Sequence, residues 1–142
     1  MRIQQPPATG NPALDAWLQR LPKQLFQRFY DRGDPAAADW VETDLTTDGS
    51  WHDLDLSSIV PEDTICVCLA VEIKYTATEF KLEFRKKGYT NNLTNSISRT
   101  QAVNVWNSND CIVACDEDRF IQYRGSNVAT PVIYVTVKGW WI

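Results

Sequence analysis

The feature that most restricts the fold is an alternation of apolar and polar residues in short runs that begin after Trp40. Residues 65–75 place Ile, Val, Leu, Val, Ile and Tyr on one face of an extended strand, and residues 79–86 do the same with Phe80, Leu82 and Phe84. A period of two residues is typical of a strand with one buried face. We therefore predict antiparallel sheets that pack one face on a core.

The same pattern extends over most of the chain. About eight short strands, separated by turn-forming segments such as NSND, DED and RGSN, indicate a mainly β fold. The fold class predicted is an antiparallel β-sandwich, jelly-roll-like, with a domain that spans residues 39–142. The predicted strands are 40–45, 51–56, 65–75, 79–86, 99–106, 111–115, 119–124 and 132–141.

A short N-terminal helical segment is predicted to precede the sandwich. Residues 1–10 show no periodicity and are expected to be a flexible lead, whereas Asn11 and Pro12 suit a helix cap and the first helical position. Pro22 is expected to break or restart the helix, which would make residues 11–35 a helical hairpin or kinked pair. We expect this segment to attach the protein to a larger assembly. Its apolar residues are Leu14, Trp17, Leu18, Leu21, Leu25, Phe26, Phe29 and Tyr30.

Composition and charge argue against several classes of partner. The chain has 142 residues, which is enough for one domain with one core. Fourteen Lys and Arg against eighteen Asp and Glu leave a formal net charge of -4, so we expect no nucleic-acid partner. No apolar run approaches the roughly 20 residues that span a bilayer, and no signal-peptide pattern is present. We therefore expect synthesis in a cytosol and no membrane insertion.

The sequence offers little for catalysis or metal binding. It has one histidine, His52, and neither a nucleophile elbow nor a glycine-rich phosphate loop. Asp53 and Asp55 would share one face of a strand, as a calcium or glycosidase site requires, although solvated strand edges show the same spacing. The four cysteines are expected to be buried free thiols rather than disulfides or zinc ligands. We predict a non-enzymatic protein with no cofactor and no metal.

Surface aromatic residues and one polar loop are the candidate contact regions. Two adjacent rings at Trp140 and Trp141 must point to opposite faces of a continuing strand. The outward ring needs cover, and a second copy of the chain would supply it, although any single tryptophan could instead line the core. A self-assembly interface is therefore predicted at Trp140, Trp141 and Ile142. The Asn-rich loop 88–98 is a possible ligand loop, and its predicted contacts are Tyr89, Asn91, Asn92 and Asn95.

Four segments carry a resemblance to a known class of proteins: NPALDAWLQRLPKQL, WHDLDLSSIVPEDT, FRKKGYTNNLTN and ACDEDRFIQYRGSNVATPVIYVTVKGWW. In these segments the chain resembles small virion structural proteins of tailed bacteriophages, of the tail-fibre, head-fibre or decoration type. The resemblance covers most of the chain after residue 10. It implies a β-sandwich that forms a homotrimer, with an N-terminal segment that attaches it to the virion.

Two functions follow as expectations. The first is a non-enzymatic, homotrimeric decoration or fibre component, made in the host cytoplasm and bound in the virion to major capsid or tail proteins. The alternative is a carbohydrate-binding or receptor-binding module of a phage tail, or a lectin-like domain, that recognises a host surface glycan. In that case Tyr89 would act as a stacking platform for a sugar ring.

Overall fold

The structure is a computed structural model that describes residues 10–25 and 28–142, with side chains described for all of these except residues 19–25. Over these ranges the chain forms one α-helix followed by nine β-strands. The elements are α1 (Pro12–Leu25), β1 (Phe29–Asp31), β2 (Trp40–Val41), β3 (His52–Asp55), β4 (Cys66–Lys74), β5 (Lys81–Lys86), β6 (Ser96–Arg99), β7 (Asn107–Ala114), β8 (Phe120–Gly125) and β9 (Val132–Trp141).

The strands form two antiparallel sheets. A five-stranded sheet has the order β1-β9-β4-β7, with β2 also paired to β9, and a four-stranded sheet has the order β3-β8-β5-β6. Each sheet combines early and late strands, and with β1 and β2 counted as one interrupted strand this is the eight-strand order of a jelly roll. The predicted fold class is confirmed. Because β9 pairs with β4 on one side and with β1 and β2 on the other, the last strand lies inside its sheet.

The core lies between the sheets and is built from the alternating apolar residues. The inward side chains of β4 are at most 1% exposed, and Phe80, Leu82 and Phe84 face them from the four-stranded sheet at 0–1%. Burial of one such side chain contributes about 1.5–3 kcal/mol. The predicted inward faces are thus confirmed for both strands. Ile65, which was predicted to share the buried face of β4, lies just before that strand and is exposed.

The helix begins as predicted but does not break at Pro22. The Asn11 side-chain oxygen accepts hydrogen bonds from the backbone N–H groups of Ala13 (3.0 Å) and Leu14 (3.2 Å), so Asn11 is the N-cap. The helix then continues through Pro22 to Leu25. A proline removes one intrahelical hydrogen bond, but good helix formers on both sides can maintain the helix around it.

The second predicted helical stretch is wrong where the structure describes it. Phe29 and Tyr30 form strand β1, which pairs with Trp141 and Trp140 of β9. Aromatic residues suit a half-buried pleated surface, and pairing satisfies backbone groups of β9 that would otherwise form an exposed edge. The β-domain therefore begins at Phe29, ten residues before its predicted start at residue 39. Phe26 lies outside the described residues.

One predicted strand, residues 99–106, is also wrong. Strand β6 occupies residues 96–99, inside the predicted loop, and β7 begins at Asn107, so the predicted NSND turn is the start of a strand. Thr100 marks the end of β6. Its hydroxyl accepts a hydrogen bond from the Phe80 N–H (3.0 Å) and donates one to the Ala77 carbonyl (3.1 Å). These side-chain bonds satisfy backbone groups that would otherwise need a further ladder partner.

Candidate functional site

The outer face of the five-stranded sheet carries an apolar patch at the end where β9 finishes. One row of paired residues crosses four strands as Phe29, Trp141, Cys66 and Ala114, and the next row places Cys68 beside Ile112. We call these six residues the apolar patch. Neighbouring outward positions on paired strands lie about 4.5–5.5 Å apart at Cβ, so the six side chains form one continuous surface.

Part of the apolar patch is accessible. Ile112 is 61% exposed and Phe29 is 46% exposed, whereas Trp141 and the two cysteines are half-buried. The rings of Phe29 and Trp141 are tilted, with centroids 4.8 Å apart. At the border of the patch Lys138 and Asp110 form an ion pair at 2.9 Å. An exposed apolar surface with a polar rim is typical of an interaction site.

The tryptophan pair behaves as predicted in one respect. Trp140 packs against the core and Trp141 lies on the outer face, so the two rings point to opposite sides of β9. The cover of Trp141 differs from the expectation, because Phe29 of the same chain supplies part of it. Ile142 is half-buried. The self-assembly interface at Trp140, Trp141 and Ile142 stays a prediction.

The predicted attachment residues divide into three groups. On α1, Trp17 is 54% exposed, Leu14 is exposed and Leu18 is half-buried. Among the described residues, α1 forms no extended contact with any strand. The side chains of Leu21 and Leu25 and all of Phe26 lie outside what the structure describes. Phe29 and Tyr30, both exposed, belong to the sandwich and not to the helix.

The cysteines are free thiols, as predicted, but only two of them are buried. Cys111 and Cys115 lie in the core, and the Cys115 thiol donates a hydrogen bond to the Thr64 carbonyl at 3.1 Å. Cys66 and Cys68 instead face outward in the apolar patch and are half-buried, which corrects the prediction that all four are buried. Burial raises the pKa of each of the four thiols, so they are protonated at neutral pH.

The Asn-rich loop forms an open cleft of about 450 Å³. Tyr89 and Asn91 line it together, and Tyr89 is 45% exposed. Asn92 and Asn95 do not line the cleft, and the amide of Asn95 donates a hydrogen bond to the side-chain oxygen of Asn92 at 3.2 Å. The four predicted ligand contacts are therefore separated into two pairs with different surroundings.

A second hollow, of about 520 Å³, lies on the outer face of the five-stranded sheet. Tyr134 and Glu72 contribute to one side, and the segment Pro35–Ala38 forms the other. The ring of Tyr134 stacks on the exposed Trp106, with centroids 5.5 Å apart and an interplanar angle of 19°. The sequence did not predict this pair, because residues 99–106 before β7 were predicted to be a strand.

The outer face of the four-stranded sheet carries a group of charged residues around Trp51 that sequence reasoning missed. The guanidinium carbons of Arg85 and Arg124 lie 3.9 Å and 4.5 Å from the centroid of the Trp51 ring. We call the whole group the arginine–tryptophan cluster. It consists of Trp51, Asp53, Glu83, Arg85, Lys87, Gln122 and Arg124.

Hydrogen bonds orient the charged groups of this cluster. Arg85 donates through Nε to the Gln122 side-chain oxygen (2.9 Å), and the Gln122 amide donates to Asp53 (3.0 Å). Asp53 also pairs with the Lys87 ammonium at 2.7 Å. Arg124 donates through Nε to Glu83 at 2.8 Å, and Glu83 is 7% exposed. The charged side chains are thus held by neighbours on β3, β5 and β8 and by Lys87, which directly follows β5.

The contact between Asp53 and Lys87 shifts the pKa of both groups. Hydrogen bonds from Lys87 and then from Gln122 hold the pKa of Asp53 below its ordinary value, and the bond to Asp53 raises the pKa of Lys87. Because the folded-state pKa of Asp53 is lowered, its stabilising contribution is present above pH 3.8 and is lost as the pH falls through the lowered value.

We expect the substitution Lys87→Met to raise the pKa of Asp53 toward 3.8, because it removes the hydrogen bond with the largest effect. An NMR titration of the Asp53 carboxyl carbon measures this directly. Lys81→Met is the matched control, since Lys81 lies at the other end of β5 and no ion pair joins it to a described carboxylate. An unchanged Asp53 titration in the Lys87 variant would contradict the role given to the ammonium.

The predicted acidic pair and the histidine do not converge. Asp53 and Asp55 do share the outer face of β3, but Asp55 accepts a hydrogen bond from the Ser57 N–H at 2.8 Å while Asp53 binds Lys87. His52 bonds instead to Asp48 at 2.9 Å. Within residues 10–25 and 28–142, no group of three or more His, Cys, Asp or Glu side chains could hold a metal ion.

Neither family models nor curated proteins provide evidence for the function of this chain. The chain matches no model of a known protein family. No curated protein matches it significantly. Where the structure describes the chain, it contains no helix with the length and apolar character needed to cross a bilayer. The structural features that bear on function are the outer faces of the two sheets and helix α1.

Proposed function

We propose that this protein is a non-enzymatic structural subunit of a tailed-bacteriophage particle, in which copies of the chain assemble as a homotrimer. The observation that carries the proposal is the apolar patch, where Ile112 and Phe29 are largely open to water beside the half-covered Trp141. Exposure of such a surface is unfavourable in an isolated subunit, and contact with the neighbouring copies around a three-fold axis would remove it from water.

The position of the patch favours an interface between copies. It lies on paired strands of a sheet, so its backbone is already fixed before assembly and only side chains lose conformational freedom on binding. The ion pair of Lys138 and Asp110 at its border provides a polar rim. The trimeric state and the phage particle come from the resemblance of the four sequence segments, and jelly rolls are an architecture that viral capsid proteins use.

The helix supports the attachment part of the proposal. Trp17 and Leu14 are exposed on α1, and in the described part of the chain α1 forms no extended contact with a strand. A 14-residue helix of this kind is marginally stable alone, so a capsid or tail protein that buries its apolar face would also stabilise it. In this proposal α1 attaches the subunit and the sandwich projects from the particle or covers a seam.

We expect Ile112→Glu to weaken self-association by about 100-fold, or about 2.7 kcal/mol, because it places a charge in each copy of an apolar interface. Size-exclusion chromatography with light scattering measures the assembly state, and circular dichroism confirms the fold. Leu93→Glu is the control, since Leu93 is 96% exposed and is not one of the six residues of the patch. A wild-type protein that stays monomeric at micromolar concentration would overturn the proposal.

A further inference from the structure

The arginine–tryptophan cluster has donors that its own residues do not use. Arg85 is bonded through Nε alone, and within the described residues no carboxylate pairs with it. Arg124 is likewise bonded through Nε, to Glu83. The terminal amino groups of both guanidinium ions therefore have no partner in the part of the chain that the structure describes. A guanidinium presents paired N–H donors that match a carboxylate in two parallel hydrogen bonds.

Both guanidinium ions are also held in position before any ligand binds. They contact one indole ring, at 3.9 Å and 4.5 Å from its centroid, and each is fixed at Nε by a side chain of the neighbouring strand. Arginine side chains normally lose considerable rotamer freedom on binding. Here the ring and the hydrogen bonds have already restricted the two arginine side chains, so they lose less rotamer freedom when a ligand binds. This favours a binding site over a pair of solvated surface charges.

We propose that this cluster is a binding site for the carboxylate of an acidic saccharide, such as a uronic-acid unit, with Arg85 as its main contact and Arg124 as the second. The site lies on the sheet opposite the apolar patch, so it goes beyond the proposed structural role and does not depend on trimer formation.

The charge of the cluster selects a monoanion. The seven residues of the cluster carry a net charge of +1, from Arg85, Arg124 and Lys87 against Asp53 and Glu83, and Asp116 and Asp118 also act on Lys87 from outside it. A single carboxylate complements that charge. A phosphate dianion would carry a second negative charge close to the two fixed carboxylates, and like charges at such distances repel.

Trp51 favours a ligand that carries its carboxylate on a ring. The indole is half-buried and both guanidinium ions lie over it, so a ligand can contact only the part of the ring that they leave uncovered. The carbon-bound hydrogens of a sugar ring form an apolar surface that can pack against an indole, while the pendant carboxylate reaches the arginines. A carboxylate on a flexible polar peptide lacks such a flat surface.

The test is titration calorimetry of the 142-residue chain with trigalacturonic acid, one of whose three carboxylates would occupy the site. We expect binding that weakens at least tenfold in Arg85→Gln and also in Arg85→Lys, since lysine keeps the charge but loses the paired donors. Lys81→Gln, which removes one positive charge from the same strand, should retain the wild-type affinity. Near-UV circular dichroism verifies that each variant is folded, and the Trp51 indole N–H signal should shift on titration.

Three competitor ligands separate the alternatives. The neutral galactose trimer should not bind, and inorganic phosphate should not displace trigalacturonic acid at equal concentration. A glutamate-rich peptide should bind more weakly than the saccharide. The proposal is overturned if the acidic saccharide does not bind, if Arg85→Gln leaves its affinity unchanged, or if the neutral sugar, phosphate or peptide binds as well. None of these outcomes depends on the assembly state, which light scattering measures separately.

Discussion

Phe84→Ala should lower the free energy of unfolding by about 3–5 kcal/mol, the largest effect of any substitution considered for this protein. Phe84 is 0% exposed and projects from β5 into the space between the two sheets. The variant loses the burial of an aromatic ring and leaves a cavity that neighbouring strands cannot close, because both sheets are held by their ladders. Since small domains have stabilities of about 5–15 kcal/mol, this loss removes a large fraction of the total free energy of unfolding.

Urea denaturation monitored by tryptophan fluorescence measures the change for Phe84→Ala. Leu93→Ala is the control, because Leu93 is 96% exposed and its truncation should change the free energy of unfolding by less than about 0.5 kcal/mol. Equal effects of the two substitutions would mean that Phe84 is not in the core and that the wrong face of β5 has been assigned to it.

Gly139→Ala should destabilise the edge of the five-stranded sheet by about 1–3 kcal/mol, because the added methyl group has no space. A Cβ atom at this position would lie 2.3 Å from Cζ of Phe29 and 2.4 Å from the backbone oxygen of Tyr30. A ring can turn away, but a backbone oxygen moves only with its strand. We therefore expect β1 to separate from β9 and to remove Phe29 from Trp141.

Hydrogen exchange distinguishes this local effect from general unfolding. In Gly139→Ala the amides of β1 and their partners on β9 should exchange faster, whereas the amides of β5 should keep their protection. Adding Phe29→Ala should restore only part of the stability, since the contact with the Tyr30 oxygen stays. Thr136→Ala, on the outer face of the same strand, is the control. If the β1 amides of Gly139→Ala kept their wild-type protection against exchange, the close approach of β1 to residue 139 would be contradicted.

Gly139→Ala should also affect the proposed self-association. Phe29 belongs to the apolar patch and shields Trp141, and both depend on the pairing of β1 with β9. Gly139→Ala should therefore disturb the patch without altering any of its six residues. If the apolar patch is the interface between copies, the glycine variant loses self-association together with β1 protection. Ile112→Glu, in contrast, should lose self-association and keep β1 protected.

Part of the candidate site could be predicted from the sequence because it depends on strand periodicity. The opposite facing of Trp140 and Trp141 follows from the alternation of side chains along any strand, and the structure confirms it. The exposed Tyr89 in a polar loop was predictable in the same way. The apolar patch was not, since Cys66 and Cys68 on β4 meet Ile112 of β7 only after residues distant in the chain are paired.

The arginine–tryptophan cluster illustrates the same limit. Trp51, Arg85 and Arg124 come from three separate parts of the chain and meet because β8 lies between β3 and β5. No local pattern in the sequence joins them. A signal was present in the outward positions of residues 79–86, which carry alternating charges, but alternating charge is equally typical of a solvated strand.

The sequence by itself determined the mainly β class, the inward faces of β4 and β5, the N-cap at Asn11 and the absence of motifs for the common catalytic sites. These properties depend on neighbouring residues, through side-chain alternation and local hydrogen bonds. Only the tertiary structure decided that Phe29 and Tyr30 form a strand, that Thr100 ends β6, and which side chains share an outer face. The reason is that strand pairing joins residues far apart in the chain, and a strand's partner is selected by burial over the whole domain.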